Sequence, residues 1–312
     1  LDSVCSQSLR EIEILVVDDG STDRTFEIAV AFAGKDQRIR VIQQQNGGVG
    51  AARNLAIAEA EGDYIAPLDA DDLWYPEKLA LQLKCMEEGG EEMGFAYCWS
   101  EKIDPRGKLI TDSFPFDSQG SVLNELVARN FVGNASVPLF RASALKVSGV
   151  YLQRSEQEGV QGCEDWELIL RIAEKYRVGL VPQTLVKYRQ LPGCMSLNAR
   201  EMGRSYEYVM QLVKERNPGL PRSLFRGSAA NFYSYLVSKC SGADDPENCL
   251  WALAKAIKAD PKLMSNTRFQ RMGLKNLVKL VFYKFGGGAA LPLRASRMDR
   301  QDGTRVSRSL GV

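Results

Sequence analysis

The densest group of residues able to do chemistry is Asp69-Ala70-Asp71-Asp72. In an extended segment, side chains two apart share a face, so Asp69 and Asp71 are expected to point the same way. Neighbouring carboxylates repel, and one takes up a proton unless a cation intervenes. Hard oxygen donors suit Mg²⁺ or Mn²⁺, which keep open positions for substrate phosphates. A turn followed by a helix N-cap would use the same residues without any ligand. Asp18-Asp19 form a second acidic pair, just before Gly20-Ser21-Thr22-Asp23. Ser21 or Asp23 is expected to cap the next helix, which leaves two adjacent carboxylates in excess of a cap. Such an acid can accept hydrogen bonds from a base N–H or a ribose hydroxyl.

Asn46-Gly47-Gly48-Val49-Gly50-Ala51-Ala52-Arg53 looks at first like a dinucleotide fingerprint. Arg53 stands where that motif needs Gly or Ala, and the run does not open directly from a strand, so the reading fails. Glycines at a helix N-terminus still offer N–H groups to an anion, and Arg53 could pair a phosphate or simply lie on a loop. Glu164-Asp165 open another helix. Asp165, Leu168, Ile169, Ile172 and Tyr176 follow a helical stripe, which places Asp165 at the N-terminal end of the buried face. An acid there faces a cleft or must be paired. The chain has no histidine. That removes His-based triads and His-ligated zinc, and leaves Asp165 as the best general-base candidate.

Strands are expected at Ile12 to Val17, Ile39 to Ile42 and Tyr64 to Leu68, with helices at Thr25 to Ala33 and Val49 to Ala60 between them. This alternation predicts an α/β sandwich with a parallel sheet, in which ligands bind beyond the carboxyl ends of the strands. Both aspartate groups lie at such ends. Pro76 marks the start of a further helix. Strands follow at Phe95 to Ser100, Val137 to Phe140, Val178 to Val181 and Leu185 to Tyr188, with the Glu164 to Tyr176 helix among them. From Glu201 the pattern is helical: Tyr206 to Arg216, Leu224 to Lys239, Glu247 to Ala259 and Phe269 to Phe285. Glu247 to Pro261 looks like half of a tetratricopeptide-type pair, too few for an array. The expected layout is a first domain over 1–198, a helical region over 199–286 and a disordered basic tail over 287–312.

The 312 residues carry 40 Lys+Arg and 39 Asp+Glu, a net charge of +1, which does not fit a nucleic-acid binder. No apolar run is long enough to span a membrane, and no signal-peptide pattern is present. Seven cysteines without repeated spacing argue for a reducing, cytoplasmic setting. Residues 269–285 alternate apolar residues with Arg271, Lys275, Lys279 and Lys284. Such a helix either packs on its neighbours or makes peripheral contact with an anionic membrane at its inner face.

Taken together, these residues resemble the family 2 glycosyltransferases, inverting enzymes of the GT-A fold. The carriers are Ile14-Leu15-Val16-Val17-Asp18-Asp19-Gly20-Ser21-Thr22-Asp23, Asn46 to Asn54, Asp69-Ala70-Asp71-Asp72 and Glu164-Asp165-Trp166-Glu167-Leu168, covering Leu1 to about Asn198. The resemblance implies a Rossmann-like GT-A domain that binds a nucleotide-sugar, with uridine diphosphate as the expected nucleotide. It implies a base contact at Asp19, donor contacts at Arg53, Asp69 and Asp71, a Mn²⁺ or Mg²⁺ ion at Asp71 and Asp72, and Asp165 as catalytic base. A saccharide or lipid-linked acceptor would take the sugar with inversion. Two departures stand out. The chain opens after the family's usual first strand, and Leu191 follows Tyr188-Arg189-Gln190 where many relatives have a histidine near the diphosphate. The contrasting reading is a GT-A-like binding or scaffold module without activity. A nucleotidyltransferase would need a Gly-rich loop with a basic residue near the start, which is absent.

Overall fold

The computed structural model describes residues 1–111, 115–153, 162–191 and 198–285. The tail expected at 287–312 therefore lies outside the described residues. A short helix α1 (Asp2–Cys5) leads to strand β1 (Ile14–Asp18), helix α2 (Thr25–Ala33) and strand β2 (Ile39–Gln43). The apolar run Ile14 to Val17 forms β1, which pairs parallel with β2 from Ile14↔Ile39 to Asp18↔Gln43. A strand, a crossover helix and a parallel partner are what the sequence pattern dictates here. Helix α3 (Val49–Glu59) packs on β1.

The single parallel sheet expected from the alternation does not form among the described residues. β1 and β2 make a two-stranded sheet of their own, and β1's other edge carries no described strand. Strand β3 (Tyr64–Ile65) belongs instead to a six-stranded sheet, antiparallel to its neighbour. It is also shorter than expected, because Pro67 has no N–H to continue the ladder. The six-stranded sheet adds β4 (Leu73–Trp74), β5 (Met93–Ile103), β6 (Leu109–Thr111), β7 (Leu139–Arg141) and β8 (Arg177–Arg189). Its order is β3-β7-β5-β8-β4, with β6 on β5, and β5 pairs parallel only with β8.

The two strands expected at 178–188 are one, β8. Its register against β5 jumps from Cys98↔Val181 to Trp99↔Thr184, so Pro182 sits in a bulge and costs no ladder bond. Around this sheet lie α4 (Lys78–Glu88), α5 (Leu123–Ala128), α6 (Ala142–Ser148) and α7 (Glu164–Ala173). The helical region follows the expected pattern: α8 (Ala199–Arg216), α9 (Arg222–Gly242), α10 (Pro246–Ala259) and α11 (Thr267–Phe285). Asn198 caps α8 by accepting from the Glu201 N–H, and Asp245 caps α10 from the Asn248 N–H, with Pro246 at the first helical position.

One hydrophobic cluster runs from β5 through α7 into α8, α9 and α10. Trp166 of α7 lies 5.7 Å from Tyr206 of α8 and 6.2 Å from Phe232 of α9, and Tyr206 stacks on Phe232 at 4.1 Å. The change of architecture near residue 198 is thus not a break in the core. Among the described residues no helix is long and apolar enough to cross a membrane.

Candidate active site

The loop into α3 explains its glycines. Gly48 has φ +85°, a left-handed conformation that side chains resist. A Cβ on Gly50 would come within 2.6 Å of the Leu152 carbonyl oxygen. Gly50→Ala is therefore expected to cost about 1–3 kcal/mol, since backbone on both sides must shift. Chemical denaturation would check this, and a neutral result would mean that the 152–153 segment yields freely.

The anion at this helix N-terminus is the protein's own. Asp19 accepts from the Gly47 N–H and the Gly48 N–H, both at 2.8 Å, and from Gln44 Nε2 at 2.7 Å. These bonds hold the loop that presents Val49 and Arg53 to a large cleft. Asp19 itself does not border that cleft.

The cleft has a volume of about 1020 Å³. Arg53, Asp69, Asp71, Glu164 and Asp165 all border it. Four residues expected to act together from sequence alone therefore share one hollow: Arg53, Asp69, Asp71 and Asp165. Arg53 joins three segments. Its Nη2 lies 2.5 Å from Asp69 Oδ1, its Nη1 lies 3.4 Å from Glu164 Oε1, and its guanidinium lies 5.1 Å from the centre of the Tyr151 ring. These acids push the Arg53 pKa up against the opposing effect of burial.

Asp72 is placed otherwise. It is buried, and the chain turns between Asp69 and Asp72, with the Asp72 N–H donating to the Asp69 carbonyl. Asp72 Oδ2 accepts from Ser136 Oγ at 2.6 Å and Oδ1 accepts from the Arg189 N–H at 2.9 Å. Burial raises its pKa to about 7, although both hydrogen bonds pull it down. Of the two aspartates expected to hold a metal, only Asp71 borders the cleft. Burial raises the Asp71 pKa as well, and Arg189 beside it lowers it only in part. A desolvated carboxylate of this kind fits a divalent cation. Among the described residues, no three acidic or cysteine side chains already converge as a closed metal site.

Asp165 sits in the first turn of α7, where its Oδ1 accepts from the Trp166 N–H at 2.6 Å. Burial raises its pKa to about 7, the Glu164 charge adds to the shift, and Arg53 opposes it. A carboxylate titrating near neutrality is suited to proton transfer at that pH.

Two contributors escaped sequence reasoning. Ser136 ties the acidic segment from both sides, donating to Asp72 and accepting from the Asp69 N–H at 3.0 Å. Arg189 donates from Nε to the Asp71 carbonyl at 2.8 Å. Neither has a local signal, because their partners lie far along the chain. Leu191, flagged as a departure, borders the cleft too.

Residues 1–142 match the model of glycosyl transferase family 2. An uncharacterised glycosyltransferase of Rickettsia felis is 34% identical over 189 residues, which cover 61% of this chain and 30% of that protein. A chondroitin synthase of Escherichia coli is 28% identical over 178 residues, covering 56% of this chain and 24% of its own length. The chain thus spans a third or less of these relatives. The crystal structure of Staphylococcus aureus TarS residues 1–349 with UDP-GlcNAc superimposes with a TM-score of 0.61 at 20% identity, covering 91% of this chain and 86% of that one. Residues 1–142 thus match a glycosyl transferase family 2 domain, and the chain has a mixed α/β GT-A-like fold matching that of TarS, with helices α8 to α11 following.

Proposed function

We propose that this protein transfers a sugar from a nucleotide-sugar, with uridine diphosphate as the expected nucleotide, to a hydroxyl of a saccharide or lipid-linked acceptor. The observation that carries the proposal is that Asp165 and Asp71 border one cleft, where Arg53 holds the neighbouring Asp69 and Glu164, and Ser136 and Arg189 tie Asp72 behind them. Asp165 takes the proton from the acceptor hydroxyl. The oxygen attacks the anomeric carbon as its bond to the diphosphate breaks. One displacement inverts that centre. Arg53 keeps Asp69 in position at the donor end, and Asp19 shapes the loop at the edge where the nucleotide base would lie. Charge on the leaving diphosphate would be neutralised by a Mn²⁺ or Mg²⁺ ion held at Asp71. Asp72, buried off the cleft and bonded to Ser136 and the Arg189 N–H, braces Asp71.

The UDP-GlcNAc bound to TarS and the chondroitin synthase relative both favour a nucleotide-sugar donor. Titration calorimetry with uridine diphosphate and Mn²⁺ tests the donor end. The expected result is metal-dependent binding that weakens about tenfold or more in Asp71→Asn, the worth of one charged contact at roughly 1.5–3 kcal/mol. Absence of binding would favour a GT-A-like scaffold instead.

A further inference from the structure

Helix α11 has two faces with different fates. On one, Asn276 is fully buried, with Nδ2 donating to the Met272 carbonyl at 2.9 Å and to Ser241 Oγ at 3.3 Å. Gly273 lies so close to α10 that a Cβ would meet Leu253 at 2.9 Å. Lys279 is paired with Asp244, which also accepts from the Tyr283 hydroxyl. This face is docked on α9 and α10.

The other face is not docked. Leu274, Leu277, Val278, Val281 and Phe282 are 64%, 50%, 60%, 49% and 51% exposed. Their spacing places them on one arc of about 140°, at 100° per residue. Five large apolar side chains in one exposed stripe are more than scattered surface residues, and mark a contact surface. Packing on neighbours, the plainer use of such a helix, is met by the opposite face alone.

The charge pattern selects the partner. The 19 residues of α11 include five basic residues and no acidic one. Arg271 falls within the apolar arc and Lys275 at its border, both exposed. Residues 286–312 carry five arginines against two aspartates, so this segment would not neutralise the surface by folding over it. A second copy of the chain would oppose like charge with like charge. An anionic bilayer answers both the stripe and the charge. The first turn of α11 also reaches the cleft, which Arg268 and Phe269 help to line.

We propose that α11 is an interfacial helix that docks the protein on an anionic membrane, its apolar stripe immersed and its first turn at the cleft, so that the acceptor is one presented at a bilayer surface. The acceptor clause rests on the transferase reading above, whereas the docking itself does not.

The test is flotation of the full chain with vesicles of phosphatidylcholine alone or of phosphatidylcholine and phosphatidylglycerol in equal parts. Neither nucleotide nor turnover is needed, so failure here is separable from failure of the transferase reading, which the uridine diphosphate titration reports. Binding is expected to the anionic vesicles and not to the neutral ones. Leu277→Glu/Val278→Glu should abolish it while circular dichroism stays unchanged, because both positions are exposed. Arg271→Gln/Lys275→Gln should weaken it, about fivefold per charge removed. No binding to anionic vesicles overturns the docking. So does equal binding by the Leu277→Glu/Val278→Glu variant, or a concentration-dependent dimer that this variant dissolves. If docking holds, the acceptor clause predicts faster transfer to a lipid-linked acceptor in anionic vesicles than in neutral ones, and equal rates overturn that clause alone.

Discussion

Replacing Asp165 by Asn is expected to lower sugar transfer by about 10²–10⁴, the usual contribution of a positioned base. Asn keeps the shape and an oxygen for the Trp166 N–H, so folding and donor binding should persist. Two further readouts tie the loss to this carboxyl. First, wild-type kcat/KM should rise with pH through about 7, as the carboxylate forms, and the variant should lose that limb. Second, the contribution of this carboxyl to stability should fall with rising pH over a defined window. The Asp165 pKa in the folded state is about 7, above an unfolded value of about 3.9. Between these values the native state holds a proton that the unfolded state has released, so stability from this group falls as pH rises from about 4 to about 7. Above that window the wild type carries a desolvated charge that Asp165→Asn lacks. The variant should therefore melt higher at pH 8, by about 2–4 °C for each kcal/mol relieved. Unchanged turnover would assign the base elsewhere. Unchanged melting with lost turnover would keep the base and discard the burial account of its pKa.

Some of this site was legible before any coordinates, for local reasons. The helices at Thr25 to Ala33 and Val49 to Glu59 carry their own periodicity and stops, and Asp165 follows from a stripe that extends along α7. An extended segment would have set Asp69 and Asp71 on one face; the chain turns there instead, and it is this turn that leaves Asp69 and Asp71 at the cleft and Asp72 buried. The metal pair Asp71 and Asp72 came from the family resemblance, and only its first member borders the cleft. What stayed hidden depends on partners remote in sequence. Ser136 meets Asp72 from 64 residues away, and Arg189 meets it from 117. Sheet pairing is hidden for a similar reason. Tyr64 and Ile65 read as a strand on their own, but only the approach of Phe140 and Arg141 makes it antiparallel. Short helices such as α5 and α6, of six and seven residues, hold too few turns to show a period.

Arg53→Ala should be the most destabilising single change in the cleft. Arg53 stands on α3, Asp69 follows β3, and Glu164 opens α7, so one guanidinium links the two-stranded unit to the larger sheet and its helix. Asn54 adds the neighbouring tie, exchanging hydrogen bonds with the Tyr151 backbone at 2.8 and 2.9 Å. The Arg53 and Glu164 side chains are 13% and 9% exposed, so this is a buried network and not a surface pair. Removing the one cation this network has among the described residues strands Glu164 beside Asp165 and Asp69, at an expected cost of about 3–5 kcal/mol in denaturant unfolding. Lys should recover little, since one ammonium cannot reach two carboxylates in a fixed fork. The decisive measurement is a cycle with Glu164→Gln. If the cost lies in the stranded charge, Arg53→Ala/Glu164→Gln will be more stable than Arg53→Ala alone, with a coupling of about 0.5–3 kcal/mol. Additive losses, or a single-variant cost below about 1 kcal/mol as for an exposed pair, would show that Arg53 is held for the ligand and not for the fold. Its place in the cleft would then have to be explained by donor phosphate alone.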